Sequence, residues 1–317
     1  MRSDAIKRAA LLALAAGTLA CSATSSSDRT GVRADARTLE QSSFEAAQRG
    51  DLERARILEE RALLGYRSID DTAAIAGALN RVGNLRQRTG DPEGARLAYL
   101  EAQSLARLTG DGAEEAAALS NLGTLYEESG DLAAADAHYQ QARAVAEAAG
   151  ADATLATILN NQALLARKQG DPQRAISLLE SALKIDRKRG NEAGAANRLR
   201  NLGAVHASVG NRAAAVAALE EALQIDRRRE NIPEIALDLV TLSEVNAQDP
   251  ASLPLAINQR RRAADIHRLL DRTTQLRSDE AAIAAWCDTL RTLDPGAVSP
   301  VDCAVGESGA DGSTAAR

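Results

Sequence analysis

Residues able to do chemistry are few in this 317-residue chain, and they do not converge. Its three histidines, His138, His206 and His267, lie far apart and complete no HExxH metal motif. Neighbouring carboxylates such as Glu127 and Glu128 sit side by side on one exposed helix, where they cannot act as a facing acid and base. No GxSxG elbow, phosphate loop or dinucleotide fingerprint is present. There is no CxxC, so neither a zinc site nor a redox motif is expected. Cys287 and Cys303 form an even pair near the C-terminus, read as a disulfide that would stabilise by about 3 kcal/mol or as two small buried thiols. No catalytic residue, cofactor, metal or small-molecule substrate follows, and the chain reads as a non-enzyme. A different chemistry is offered by Asn121, Asn161 and Asn201, spaced forty residues apart. A side-chain amide both donates and accepts, so such a ladder suits the backbone of an extended peptide. The same amides could instead bond to adjacent helices and fix their packing.

The asparagine spacing is that of the whole chain. QRGDLERARILEERA at 48–62 returns as RTGDPEGARLAYLEA at 88–102, ESGDLAAADAHYQQA at 128–142, KQGDPQRAISLLESA at 168–182 and SVGNRAAAVAALEEA at 208–222. Within one unit, Leu119, Leu122 and Tyr126 make one helical stripe, and Leu132, Ala135, Tyr139 and Ala142 make another. Each unit is therefore two amphipathic helices. Gly50, Gly90, Gly130, Gly170 and Gly210 close the first helix, and the Asp or Asn that follows caps the second. Pro92 and Pro172 fall just inside the second helix, where a missing N–H costs nothing. Small residues recur where the two helices must approach: Gly83, Gly123, Ala163 and Gly203 on the first, and Ala55, Ala95, Ala135, Ala175 and Ala215 on the second.

NLGTLYEESGDLAAADAHYQQA at 121–142 resembles a tetratricopeptide repeat, with Leu122, Gly123, Tyr126, Ala135, Tyr139 and Ala142 in the signature positions. The forty-residue period is similar to the long-repeat variety of kinesin light chains. The resemblance implies an all-α fold: a right-handed superhelical α-solenoid of helix-turn-helix hairpins with a C-terminal capping helix. Six units are expected, at about 31–70, 71–110, 111–150, 151–190, 191–230 and 231–271, capped by 272–294, with order fading over 295–317. In the long-repeat family, Asn at the position of Asn121, Asn161 and Asn201 contacts a bound peptide. The implied concave groove carries Asn80, Asn84, Gln87 and Arg88, then Thr124, Glu127 and Glu128, then Asn160, Arg167 and Lys168, then Arg200. Arg81 and Thr241 break the ladder at its ends. A clamp for acidic C-terminal tails fits less well, because Asn80, Thr157 and Asn161 stand where its basic residues would be.

Arg2, Lys7 and Arg8 precede an apolar run over 9–20, which is the pattern of a signal peptide and too short to span a bilayer. Thr18-Leu19-Ala20-Cys21 resembles the lipobox of bacterial lipoproteins, which implies cleavage before Cys21 and acylation of its thiol. A plain secretory leader is the alternative. Ser22 after the cysteine favours, by the same resemblance, delivery to the outer membrane facing the periplasm, ahead of the inner membrane. The Ser/Thr-rich residues up to 34 read as a tether.

A net charge of −6 with basic residues scattered among acidic ones argues against nucleic acid as a partner. Arg187-Lys188-Arg189, Arg227-Arg228-Arg229 and Arg260-Arg261-Arg262 read first as cations favoured at helix C-termini, and second as an edge for anionic lipid or an acidic partner. The expectation is a lipid-anchored adaptor of a bacterial envelope that binds a protein or an extended peptide. A cytosolic peptide-sensing regulator and a structural spacer without a groove are the rival readings.

Overall fold

The computed structural model describes residues 26–293. These fold into thirteen α-helices and one short 3₁₀ turn, without a strand among the described residues. The chain divides into two compact units, Met1–Ala149 and Gly150–Arg317. The first unit holds α1 (Ser26–Gln48), α2 (Leu52–Ser68), α3 (Thr72–Arg88), α4 (Pro92–Thr109), α5 (Gly112–Glu128) and α6 (Leu132–Ala149). In the second are α7 (Asp152–Lys168), α8 (Pro172–Lys188), α9 (Glu192–Ser208), α10 (Arg212–Arg228), α11 (Ile232–Asn246), α12 (Leu253–Leu269) and α13 (Thr273–Leu293). Within each unit consecutive helices pack on one another, so every odd–even pair is a hairpin.

Turn chemistry sets the helix ends at intervals of about twenty residues. Gly90, Gly130, Gly170 and Gly210 take positive φ, which glycine adopts without steric cost. The next residue then caps: Asp91 accepts from the Gly94 N–H, Asp131 from Ala134 and Asp171 from Arg174. Turns between hairpins follow the same plan, although Asp70, Glu230 and Asp271 hold the left-handed conformation without being glycine. The sixth hairpin lacks the turn glycine altogether. There Pro250–Ser252 form the 3₁₀ turn, and Arg212 of α10 donates to Asp249, Asn246 and Ser252, so side chains fix this turn from outside.

Small residues bring the helices of a hairpin together. A Cβ added to Gly83 would lie 2.3 Å from the Tyr99 ring, one on Gly123 2.8 Å from Tyr139, and one on Gly203 2.5 Å from Leu219. Each of these large side chains is fully buried. Alanine, leucine and valine supply most of the remaining core.

One boundary differs from expectation. α1 begins at Ser26, inside the segment read as tether, because Ala36 is buried against α2 and Arg33 pairs with Asp71 at the start of α3. Asp28 in its first turn also suits the positive end of the helix dipole. At the other end α13 buries Ile283, Cys287 and Leu290 against Leu253 and Ile257 of α12. Asp279 of α13 reinforces this contact, lying 2.6 Å from His267 Nδ1 and 2.8 Å from Arg260 Nε, while Arg260 also sits over the Trp286 ring. The leader, Cys21 and Cys303 lie outside the described residues.

Candidate functional site

First helices of neighbouring hairpins also pack on one another, α3 on α5 in the first unit and α9 on α11 in the second. Side chains at i, i+3 and i+7 on these helices make a continuous face. In the first unit Asn84 and Arg88 of α3 are exposed, as is Glu128 of α5, whereas Asn121 and Thr124 are half-buried. Tyrosine hydroxyls lie beneath. Tyr99 donates to Asn84 Oδ1 at 2.7 Å, with the Gln87 amide 3.0 Å away. Tyr139 lies 3.1 Å from the Thr124 hydroxyl and 3.2 Å from Glu127. Burial pushes both phenols well above their ordinary range, so they remain neutral hydrogen-bonding groups.

In the second unit the corresponding face is made of amides. Asn161 and Asn201 are half-buried, and Arg167 and Lys168 are exposed at the end of α7. Asn201 donates to Asn160 Oδ1 at 2.7 Å and approaches Asn197 Oδ1 at 3.4 Å, while Asn160 approaches Asn161. This cluster joins α7 to α9. Asn197 was not among the expected groove residues, but its position one turn before Asn201 could have revealed it.

Three expected groove residues turn out to be buried. Asn80 braces α3 to α5 by donating to the Glu114 carbonyl and carboxylate, at 3.2 and 2.7 Å. Asn160 is enclosed beneath the amide cluster just described. Arg200 is held between α9, α10 and α11, where Nε meets Asp238 at 2.6 Å, Nη2 meets Asp226 at 3.0 Å and Nη1 meets Glu234 at 2.9 Å. One residue is 100° of helix rotation, enough to turn a side chain from the open face to the neighbouring repeat. These three brace the stack and do not line it.

The basic clusters are largely spoken for. Arg187 pairs with Glu221 at 2.5 Å between neighbouring repeats, Arg228 with Glu192 at 3.3 Å within the fifth hairpin, and Arg260 is buried against the cap. Arg67 and Glu101 form the bridge equivalent to Arg187–Glu221 in the first unit. Among the described residues no group of three or more His, Cys, Asp or Glu is placed to hold a metal ion.

Asp226 and Asp238 are both buried and share Arg200, and of this network the sequence singles out only Arg200 and Arg229. Burial pushes the Asp238 carboxyl up to about 6 from an ordinary 3.8, against the opposing pull of Arg200. The folded chain therefore holds a proton that the unfolded chain has released, and this contribution to stability is lost as pH rises from about 4 to about 6. Melting midpoints at pH 5 and 7 should thus differ less in Asp238→Asn than in wild type, with the wild-type difference favouring pH 5. Equal differences in the two proteins would show that Asp238 titrates normally.

The family model described as Tetratricopeptide repeat matches residues 71–148 and 154–228. The chain is a tetratricopeptide repeat protein. No curated protein matches it significantly. Among solved structures, it is similar to a signal-transduction ATPase with a tetratricopeptide repeat sensor from Pyrococcus horikoshii, at 14% identity and a TM-score of 0.65, covering 79% of this chain and 40% of that one. A Rap protein complexed with Competence and Sporulation Factor matches at 12% identity and 0.59, covering 81% and 76%. BtubC from P. vanneervenii matches at 22% and 0.51, covering 78% and 91%. These likenesses concern the fold. Tetratricopeptide repeat proteins are generally non-catalytic scaffolds, and the fold supports a role in protein–protein interaction.

Proposed function

We propose that this tetratricopeptide repeat protein is a non-catalytic adaptor of the bacterial envelope, anchored through an acylated Cys21 and docking a protein partner on the face of its first helices. The observation that carries the docking reading is that face itself in each unit: a half-exposed layer of amides, hydroxyls and charges along the first helices. Groups such as Asn121, Asn161 and Asn201 can exchange hydrogen bonds with an extended backbone. The anchor reading rests on the leader and on Cys21. No helix among the described residues is long and apolar enough to cross a membrane, so acylation would supply the attachment. More than one acyl chain is needed for stable anchoring. Outer-membrane delivery facing the periplasm, and a place in envelope or surface-structure assembly, complete the proposal.

Two experiments separate its parts. Cys21→Ala should move the protein from the membrane fraction to the soluble one, and unchanged membrane association would overturn the anchor. Cross-linked pull-downs should lose a specific partner when Asn121, Asn161 and Asn201 are all replaced by Ala, with folding checked by circular dichroism. The same partners recovered from a folded triple variant would instead support the spacer reading, which the Asn201–Asn160 hydrogen bond favours for those two residues.

A further inference from the structure

Ile57 and Leu64 of α2 and Leu97, Leu100 and Leu108 of α4 are between 40% and 79% exposed. Positions 97, 100 and 108 lie within one stripe of α4, as 57 and 64 do on α2. Ile57 and Leu97 are one forty-residue period apart, and the Arg67–Glu101 bridge at 2.6 Å joins the two helices on this side. The repeat itself does not require leucine there. In the second unit the places of Leu97, Leu100 and Leu108 fall to Ser177, Glu180 and Lys188 on α8 and to Ala217, Glu220 and Arg228 on α10, every one exposed. The first unit has therefore put aliphatic side chains where its own repeat elsewhere meets water with largely polar ones, and such a face marks a contact.

The way the chain enters the first unit says with what. α1 runs against α2 so that Gly65 faces Val32 and Ala36, and Arg33 pairs with Asp71 just past the end of α2. Ser26 thus stands at the end of the unit where α2 and α4 finish, beside Leu64 and Leu108, the most exposed of the set. Cys21 precedes Ser26 by five residues, a reach of about 18 Å at most. That is shorter than α2, which at 17 residues is roughly 25 Å long. An acylated Cys21 accordingly holds this end of the unit against the bilayer. Acyl chains suit the face, since the hydrophobic effect is non-directional and asks for no matching shape. Protein interfaces are enriched in aromatic residues, and the exposed apolar side chains here are all aliphatic. Arg54 and Arg61, exposed along the same stripe of α2, can lay their stems on it and reach lipid phosphates with their guanidinium groups. Glu101, set among the leucines of α4, is neutralised by Arg67.

We propose that the second-helix face of the first unit rests on the membrane that holds Cys21, with Ile57, Leu64, Leu97, Leu100 and Leu108 inserted at the level of the headgroups and upper acyl chains. The proposal rests on the anchor reading above. A tether alone leaves the unit free to swing, whereas tether and face together fix its orientation and keep the first-helix face open to a partner.

The test holds residues 22–317 on vesicles of phosphatidylethanolamine and phosphatidylglycerol through an N-terminal histidine tag and nickel-chelating lipid, so that the face is read whether or not cells acylate Cys21. Leu100→Trp puts a probe on the face and Arg88→Trp puts one on the first-helix face of the same unit, with the wild-type Trp286 as baseline. Lipids brominated on the upper acyl chain should quench the probe at 100 about twofold and leave the probe at 88 nearly unchanged, because an in-plane apolar face sinks about 5–10 Å. Adding Ile57→Ser/Leu64→Ser/Leu97→Ser/Leu108→Ser should abolish that quenching. These positions are exposed, so circular dichroism should show an unchanged fold. Equal quenching at 100 and 88, none at 100, or quenching that survives the four changes would overturn the proposal. So would a dimer of untethered wild type, seen by sedimentation and broken by the same changes, since a second copy would then cover the face. The mass of the mature protein from cells tests the anchor separately. An unmodified Cys21 would remove the anchor and with it the reason for lipid, whereas an acylated protein with an unquenched probe at 100 would remove this contact alone.

Discussion

Arg200→Ala should lower stability by about 3–5 kcal/mol at pH 7, since it strips the partner from two buried carboxylates. Asp226 is 1% exposed and Asp238 is fully buried, so neither can turn to water. Arg229 remains beside Asp226 at 2.7 Å, but Asp238 keeps no cation in contact. The loss should shrink towards pH 5, where Asp238 can take up a proton and remain neutral. Chemical denaturation at the two pH values measures both effects. A cost below about 1 kcal/mol at pH 7 would mean that water reaches the site when Arg200 is removed. Exchanging Arg200, Asp226 and Asp238 together for apolar residues of similar volume should be nearly neutral, because the desolvation of all three charges disappears with their attraction.

Gly83→Ala should be the second large loss, and its size should depend on what stands opposite. The new methyl would overlap Cε1 and Cζ of Tyr99, a planar ring with no room to bend and a hydroxyl tied to Asn84. Overpacking of this kind costs about 1–3 kcal/mol, opposed by about 1 kcal/mol gained in helix propensity. The chain contains its own remedy: in the fourth hairpin Ala163 and Leu179 share one core cluster at the corresponding positions. Gly83→Ala combined with Tyr99→Leu should therefore recover part of what the single changes lose. Gly203→Ala, facing the flexible Leu219, should cost less than Gly83→Ala. Equal losses at the two glycines, read from denaturant midpoints with unchanged slopes, would show that the backbones shift whatever side chain they meet.

The hairpins were legible because their signals are local. A glycine before Asp marks a turn whatever the rest of the chain does, and a small residue every forty positions marks a close crossing. The face of the site was legible less completely. Asn84, Arg88, Asn121 and Glu128 lie on or beside open surface as expected, but Asn80, Asn160 and Arg200, each one residue before its ladder position, rotate into the seam between repeats. Periodicity assigns a face to within about one residue. Choosing between adjacent polar residues needs the neighbour across the seam, such as Glu114 for Asn80 or Asp238 for Arg200. Asp186 and Asp226 were overlooked, despite being acidic residues three positions after the buried Leu183 and Leu223.

Those buried charges bear on how the gene could change length. Precise excision of forty codons is a natural way for a repetitive gene to recombine, and in the first unit removing 71–110 keeps the apolar core, since Ala118 comes to the place of Ala78 and both are fully buried, but it puts Asn121 in the place of Arg81, the cation 2.7 Å from buried Glu59. Removing 191–230 would instead bring Asp238 to the place of Arg198, which lies 3.4 Å from Asp186, and Val240 to the place of Arg200. Two carboxylates would then face each other in the core with no cation between them. The modules of either unit are consequently not interchangeable: their order in the gene is protected by the charges they hide.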